Sequence, residues 1–249
     1  IGAEDVPVVR GFDRPLFREL VTAPQFHGVS GLDGAALPEI EEPAARGTQP
    51  HAVEFLARTI REHSEAVTLV PTGPLTNIGA LLRQYPELTS KIKRIILMGG
   101  AFRDSNIIPG AEYNIYVDPE AARAVFLSGV PVTMVGLDVT NKAQLTRGEL
   151  DRVADAGGEV TRVISPLLEF FREANKEIFG FPGPPLHDAL AVAAVIEPSV
   201  IETESYFVDV ECRGELTRGQ TVVDYYGMTG TEANVEVALG LDRVLFAEM

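Results

Sequence analysis

The chain alternates short, continuously apolar runs with segments whose apolar residues recur at helical spacing. Val6–Val9, Ala66–Pro71, Ile92–Met98 and Val130–Leu137 read as strands. Between them, His51–His63 carries Val53, Phe55, Leu56 and Ile60 at helical spacing, and Pro74–Tyr85 sets Ile78, Leu81 and Leu82 on one face. Asp118 caps a further helix, Pro119 takes its first turn and Gly129 marks its end. Strands apolar throughout and alternating with helices predict an α/β fold: a mostly parallel, Rossmann-like open sheet flanked by helices. The second half differs. Glu149–Ala156 and Thr161–Phe179 are predicted helices, the longer one with Val163, Ile164, Leu167, Leu168, Phe170 and Phe171 in its apolar band. A Gly/Pro break at Phe179–Pro185 precedes a helix over His187–Ile196, which Pro198 ends. Phe207–Val210, Gln220–Val223 and Asn234–Leu241 alternate like strands of a small antiparallel addition near the C-terminus.

Leu37–Gln49 is rich in Pro, Glu and Ala and reads as an exposed connection. No repeat or convincing domain boundary interrupts the pattern, so residues 1–249 are expected to form one domain. At 249 residues and 45% hydrophobic the chain can bury a full core. A formal net charge of -15 argues against nucleic acid or an anionic membrane as partner. Cys212 is the only cysteine, which leaves no intrachain disulfide framework and no Cys-based zinc site. No uninterrupted run approaches the roughly 18 apolar residues of a membrane span, and a cytoplasmic address is expected.

Candidate chemistry gathers after Ile92–Met98. Met98–Ala122 contains Asn106, Glu112 and Asn114 among Gly99, Gly100, Pro109 and Gly110. If 112–114 is extended, Glu112 and Asn114 share one side. A carboxylate that only accepts, beside an amide that accepts and donates, makes a pair suited to sugar hydroxyls; solvated loop residues or turn caps would read the same. His27–Gly34 places His, Ser and Asp between glycines and reads as a loop. It fails the G-x-S-x-G nucleophile elbow because Leu32 stands at the last glycine position. No G-x-G-x-x-G and no P-loop support a dinucleotide or NTP site. His187 and Asp188 open a helix after a Pro-rich loop, where Asp188 also suits an N-terminal cap.

MGGAF from Met98, Asn106, then AEYNIYVDPEAA resemble the inosine–uridine-preferring nucleoside hydrolases. So do HGVSGLDG (His27–Gly34), PTGPLTN (Pro71–Asn77), VGLDVTN (Val135–Asn141) and PLHD (Pro185–Asp188), in the family's order. The resemblance implies a calcium-dependent enzyme that hydrolyses the N-glycosidic bond of a ribonucleoside through an oxocarbenium-like state. It implies that His27 closes over the sugar 5′-hydroxyl, which Asn106 and Glu112 hold. Asn114 and Asp188 hold the 3′-hydroxyl, and Met98 packs on the ribose. Asp188 and the carbonyl of Thr72 ligate calcium, and His187 is the candidate proton donor to the leaving base. Phe171, Asn175 and Phe179 stand at the base-binding places of the long helix, where the family often has Tyr or Gln, so base preference stays open. Relatives usually form homodimers or homotetramers. One departure is large: the family's D-x-D-x-x-x-D-D cluster has no counterpart here, and Asp5, Asp13 and Asp33 are not in that context. Thr72 and Asp188 are then at most half a calcium site. Either a further N-terminal segment supplies the cluster, or the chain is a degenerate member that binds nucleoside or ribose without turnover.

Overall fold

The computed structural model describes residues 5–37, 50–63 and 65–249. The connection expected over Leu37–Gln49 lies, from residue 38 onward, outside them. The helices are α1 (Pro24–His27), α2 (Ala52–Glu62), α3 (Thr76–Gln84), α4 (Tyr113–Val117), α5 (Pro119–Phe126), α6 (Leu137–Thr140), α7 (Arg147–Asp155), α8 (Gly158–Phe179), α9 (His187–Ile196) and α10 (Arg243–Glu248). The strands are β1 (Val67–Leu69), β2 (Ile92–Met98), β3 (Val132–Val135), β4 (Ile201–Tyr206), β5 (Val208–Val210), β6 (Thr221–Val223) and β7 (Val235–Leu241). They fall into two compact units, one drawn from Ile1–Val8, Val21–Gln49 and Ala143–Leu186, the other from Val9–Leu20, Pro50–Lys142 and His187–Met249.

The larger unit holds the sheet, in the order β1-β2-β3-β7-β4. β1, β2, β3 and β7 run parallel, and β4 closes one edge antiparallel to β7. The uninterrupted apolar run Ile95–Met98, which ends β2 after Lys93 and Arg94, has a simple cause. Ile95 and Leu97 join the cluster of Leu81, Val125 and Phe126 on one face. Ile96 and Met98, one residue out of phase, are only 1% and 4% exposed on the opposite face. Helix α9 packs against β2. A strand buried on both faces cannot alternate with polar residues.

β5 and β6 form the separate antiparallel pair, the small addition anticipated near the C-terminus. Two expectations need correction, and one strand was missed. Asn234–Leu241 does not join that addition: β7 lies inside the main sheet, parallel to β3. Its other neighbour, β4, was not anticipated, because Glu202, Thr203, Glu204 and Ser205 are all exposed on this edge strand and carry no apolar alternation. Val6–Val9 forms no strand; Val6 and Val8 are 59% and 72% exposed.

In the smaller unit, α8 packs against α7 and α1. Its anticipated apolar band is half-buried, except for Ile164, which is exposed. It ends at Gly180 in the left-handed region, φ 73°, where the Gly180 and Phe181 amides return to the last-turn carbonyls. Among the described residues, no helix is long and apolar enough to cross a membrane.

Candidate active site

The carboxyl end of β2 organises the larger unit's polar residues, as expected where ligands meet open parallel sheets. The chain leaves Met98 through Gly99 and Gly100. Gly100 sits at φ 77°, and a Cβ there would come within 2.7 Å of the Met134 sulfur, so only glycine fits. This bend aims the Gly100 amide at Glu112, 2.9 Å from Oε2.

Glu112 and Asn114 are not on a strand, as alternation had suggested. Glu112 is the N-cap of α4, and its carboxylate accepts from the backbone amides of Asn114 (3.0 Å) and Ile115 (3.4 Å). The misreading has a physical reason: Glu112 itself is extended, φ -99° and ψ 144°, but the chain turns helical immediately after it, and Ser, Thr, Asp and Asn are the usual caps. Glu112 is only 2% exposed. Burial pushes its carboxyl up, against the downward pull of three backbone amides and the Asn106 side chain, to about 7. Asn106 is further fixed by accepting from the Tyr113 amide at 2.8 Å. Asn114, 8% exposed, donates its side-chain amide to the Met98 carbonyl (3.2 Å) and sulfur (3.3 Å). Met98, Asn106, Glu112 and Asn114 thus form one connected constellation.

Thr72 follows β1 and is half-buried. The Met98 amide donates to the Pro71 carbonyl at 3.0 Å, which ties the Thr72 loop to the end of β2. From the other side, buried Asp118 accepts from the Thr76 hydroxyl at 2.8 Å and the Leu16 amide at 2.9 Å while capping α5. His187 begins α9, its Nδ1 2.7 Å from the hydroxyl of Thr140 in α6. Asp188 keeps solvent contact, yet it sits deep enough among protein atoms for desolvation to raise its carboxyl above the usual range.

His27 lies in the smaller unit, at the last residue of α1. Its ring stacks on Phe171 at 5.4 Å and 10°, and desolvation lowers it below the usual imidazole value. Phe26 stacks on Phe179 at 5.5 Å and 11°, and Phe179 meets Phe181 at 5.3 Å. Sequence reasoning missed Phe26, although its place beside His27 was the available signal. Asn175 is 2% exposed and donates its side-chain amide to the Phe171 carbonyl at 2.8 Å, within its own helix.

Calcium takes about six to eight oxygen ligands. Thr72 offers a carbonyl and Asp188 a carboxylate, and among the described residues no group of three or more His, Cys, Asp or Glu could hold a metal. These donors do not make a calcium site by themselves.

The family model described as inosine-uridine preferring nucleoside hydrolase matches residues 1–248. The chain is 48% identical over 246 residues to the pyrimidine-specific ribonucleoside hydrolase RihA of Salmonella paratyphi B, covering 98% of this chain and 78% of that protein. Among solved structures, it resembles the purine-preferring ribonucleoside hydrolase from Gardnerella vaginalis, with a TM-score of 0.89, 31% identity, and coverage of 99% of this chain and 79% of that one. It also resembles the plant nucleoside hydrolase PpNRh1, with a TM-score of 0.87, 30% identity, and coverage of 99% and 80%. The protein belongs to the inosine–uridine-preferring nucleoside hydrolase family and is a ribonucleoside hydrolase.

Proposed function

We propose that the enzyme acts on pyrimidine ribonucleosides, releasing the base and ribose. The buried Glu112–Asn114 constellation carries the ribose half of this reading. Burying a carboxylate and a carboxamide in an apolar core is costly, and here both lie at the carboxyl end of a parallel strand, where a sugar can use them. Asn106 and Glu112 take the 5′-hydroxyl, Asn114 and Asp188 the 3′-hydroxyl, and Met98 the ribose face. His27 covers the 5′ end, and Asn175 and Phe179 serve the base. In the reaction, water oxygen bonds to C1′ as the C1′–N bond breaks, and His187 gives the departing base its proton. The proton the water sheds passes to solvent, from which His187 is reprotonated, so one water is consumed overall. The pyrimidine preference rests on the 48% identity to the pyrimidine-specific RihA against 31% to the purine-preferring relative.

Calcium dependence belongs to the same proposal, with Thr72 and Asp188 contributing part of the coordination. The enzyme acts on small-molecule nucleosides as a homo-oligomer in the cytoplasm. Ribose release from uridine is expected to exceed that from inosine, to stop with a chelator and to return with calcium. Equal release from both nucleosides overturns the preference. A second reading, ribose or nucleoside binding without turnover, needs only the buried Glu112–Asn114 constellation and no complete metal site. It predicts calorimetric binding of ribose with no release under either condition.

A further inference from the structure

We propose that Thr140 is a positioning residue for His187, which gives the Val135–Asn141 stretch a role in the reaction; this rests on the reading of His187 as proton donor. The Thr140 hydroxyl lies 2.7 Å from Nδ1 of His187, a residue 47 positions away. Thr140 is fully buried, at 0% exposure. A threonine hydroxyl in a helix can satisfy itself on its own backbone, so pairing with an imidazole is not needed for burial. The contact instead sets the ring. With Nδ1 engaged by Thr140, the proton for the leaving base passes through Nε2, and rotation that would exchange the two nitrogens breaks this part-buried hydrogen bond.

The same stretch links this ring to the ribose residues. Gly100 donates its amide to Glu112, and its carbonyl accepts from Leu137 at 3.0 Å, at the start of the helix that ends with Thr140. Asp138 accepts from the Phe102 and Arg103 amides, at 2.5 and 2.8 Å, which fixes the segment following Gly100. Proton donor and sugar anchors are therefore tied to one short backbone path. A group that must meet a leaving atom within hydrogen-bond reach gains from such fixing.

The test compares Thr140→Val, Thr140→Ser and His187→Ala in the full chain on uridine and on a nitrophenyl riboside, whose phenolate departs without a proton. Thr140→Val is expected to slow uridine hydrolysis by about tenfold or more and the nitrophenyl riboside far less, whereas Thr140→Ser keeps both rates. If His187→Ala spares the nitrophenyl riboside but Thr140→Val slows both substrates alike, the inference falls. If His187→Ala slows both alike, the reading of His187 as proton donor falls instead. An independent measurement needs no turnover: the imidazole nitrogen resonances of His187, assigned by their loss in His187→Ala. They are expected to move in Thr140→Val and to stay in place in Thr140→Ser. Unchanged resonances in a folded Thr140→Val protein overturn the proposal. Where Thr140→Val does not fold, the unmutated protein decides. It is expected to show a slowly exchanging proton shared between Thr140 and His187, and its absence overturns the proposal.

Discussion

The end of β2 and the aromatic cluster around His27 hold their residues in opposite ways. Around Glu112 every restraint is directional: the carboxylate meets the Gly100, Asn114 and Ile115 amides, and Asn114 is tied to Met98. The His27 side chain instead meets ring faces, with its imidazole stacked on Phe171 and Phe26 beside it stacked on Phe179. Hydrogen bonds fix atoms to within tenths of an ångström and are costly to leave unmade. Ring stacking tolerates sliding and substitution, and a pair is worth about 0.5–1.5 kcal/mol beyond the area it buries. On the proposed function, the first region would serve a constant group such as ribose and the second a variable one such as a base.

Breaking the directional region should have the largest effect. Glu112→Ala leaves three backbone amides without their acceptor, each costing about 1–3 kcal/mol. Urea unfolding is expected to show a loss upwards of about 4 kcal/mol, with Glu112→Gln, which keeps an acceptor oxygen, losing clearly less. Equal losses in the two variants would mean that the carboxylate is not what holds Gly99, Gly100 and α4 together.

Asn114→Ala separates binding from folding in the same region. It removes one donor to Met98 and should cost about 1 kcal/mol of stability, whereas the ribose contact proposed for it would strengthen as charge develops in the sugar. Turnover is expected to fall about 100-fold or more, with the urea midpoint lowered by only about 0.3–1 M. Full turnover in this variant would remove Asn114 from the site.

The two regions also differed in how far the sequence disclosed them. The buried half of β2 was legible to the residue, because charges at Lys93 and Arg94 and glycines at 99 and 100 bracket the apolar run Ile95–Met98, which is buried on both faces. Asp118 and Pro119 marked the start of α5 in the same local way. Glu112 and Asn114 were legible as chemistry but not as geometry, since a glutamate N-cap carries no distinctive spacing. β4 was invisible because an exposed edge strand shows no apolar period. Phe26 and Thr140 meet Phe179 and His187, far along the chain, and neighbouring residues do not encode these contacts.

A pH titration sharpens the contrast further, because Glu112 should dominate it. The Glu112 carboxyl titrates near 4.5 in the unfolded chain and at about 7 in the fold. The folded state therefore holds its proton more tightly, so this group's contribution is fully present below pH 4.5 and is lost as pH rises through 7. The difference amounts to about 3 kcal/mol. Urea unfolding between pH 4.5 and 7.5 is expected to show this decline in the wild type and a flatter profile in Glu112→Gln. Parallel profiles would show that another group carries the dependence.

The smallest effect belongs to the aromatic cluster, and its size is informative. Phe179→Leu keeps most of the apolar area and loses the ring stacked on Phe26. By the worth of one aromatic pair, KM for uridine should rise about two- to tenfold with kcat little changed. His27→Ala should likewise raise KM, since it removes both the contact proposed for the 5′-hydroxyl and the ring stacked on Phe171. An unchanged KM in His27→Ala would make this histidine a surface residue that stacks without touching substrate. If Phe179→Leu instead lowered kcat as steeply as Asn114→Ala does, the cluster would be positioning the reacting bond, and the division between a fixed sugar site and a tolerant base site would fail.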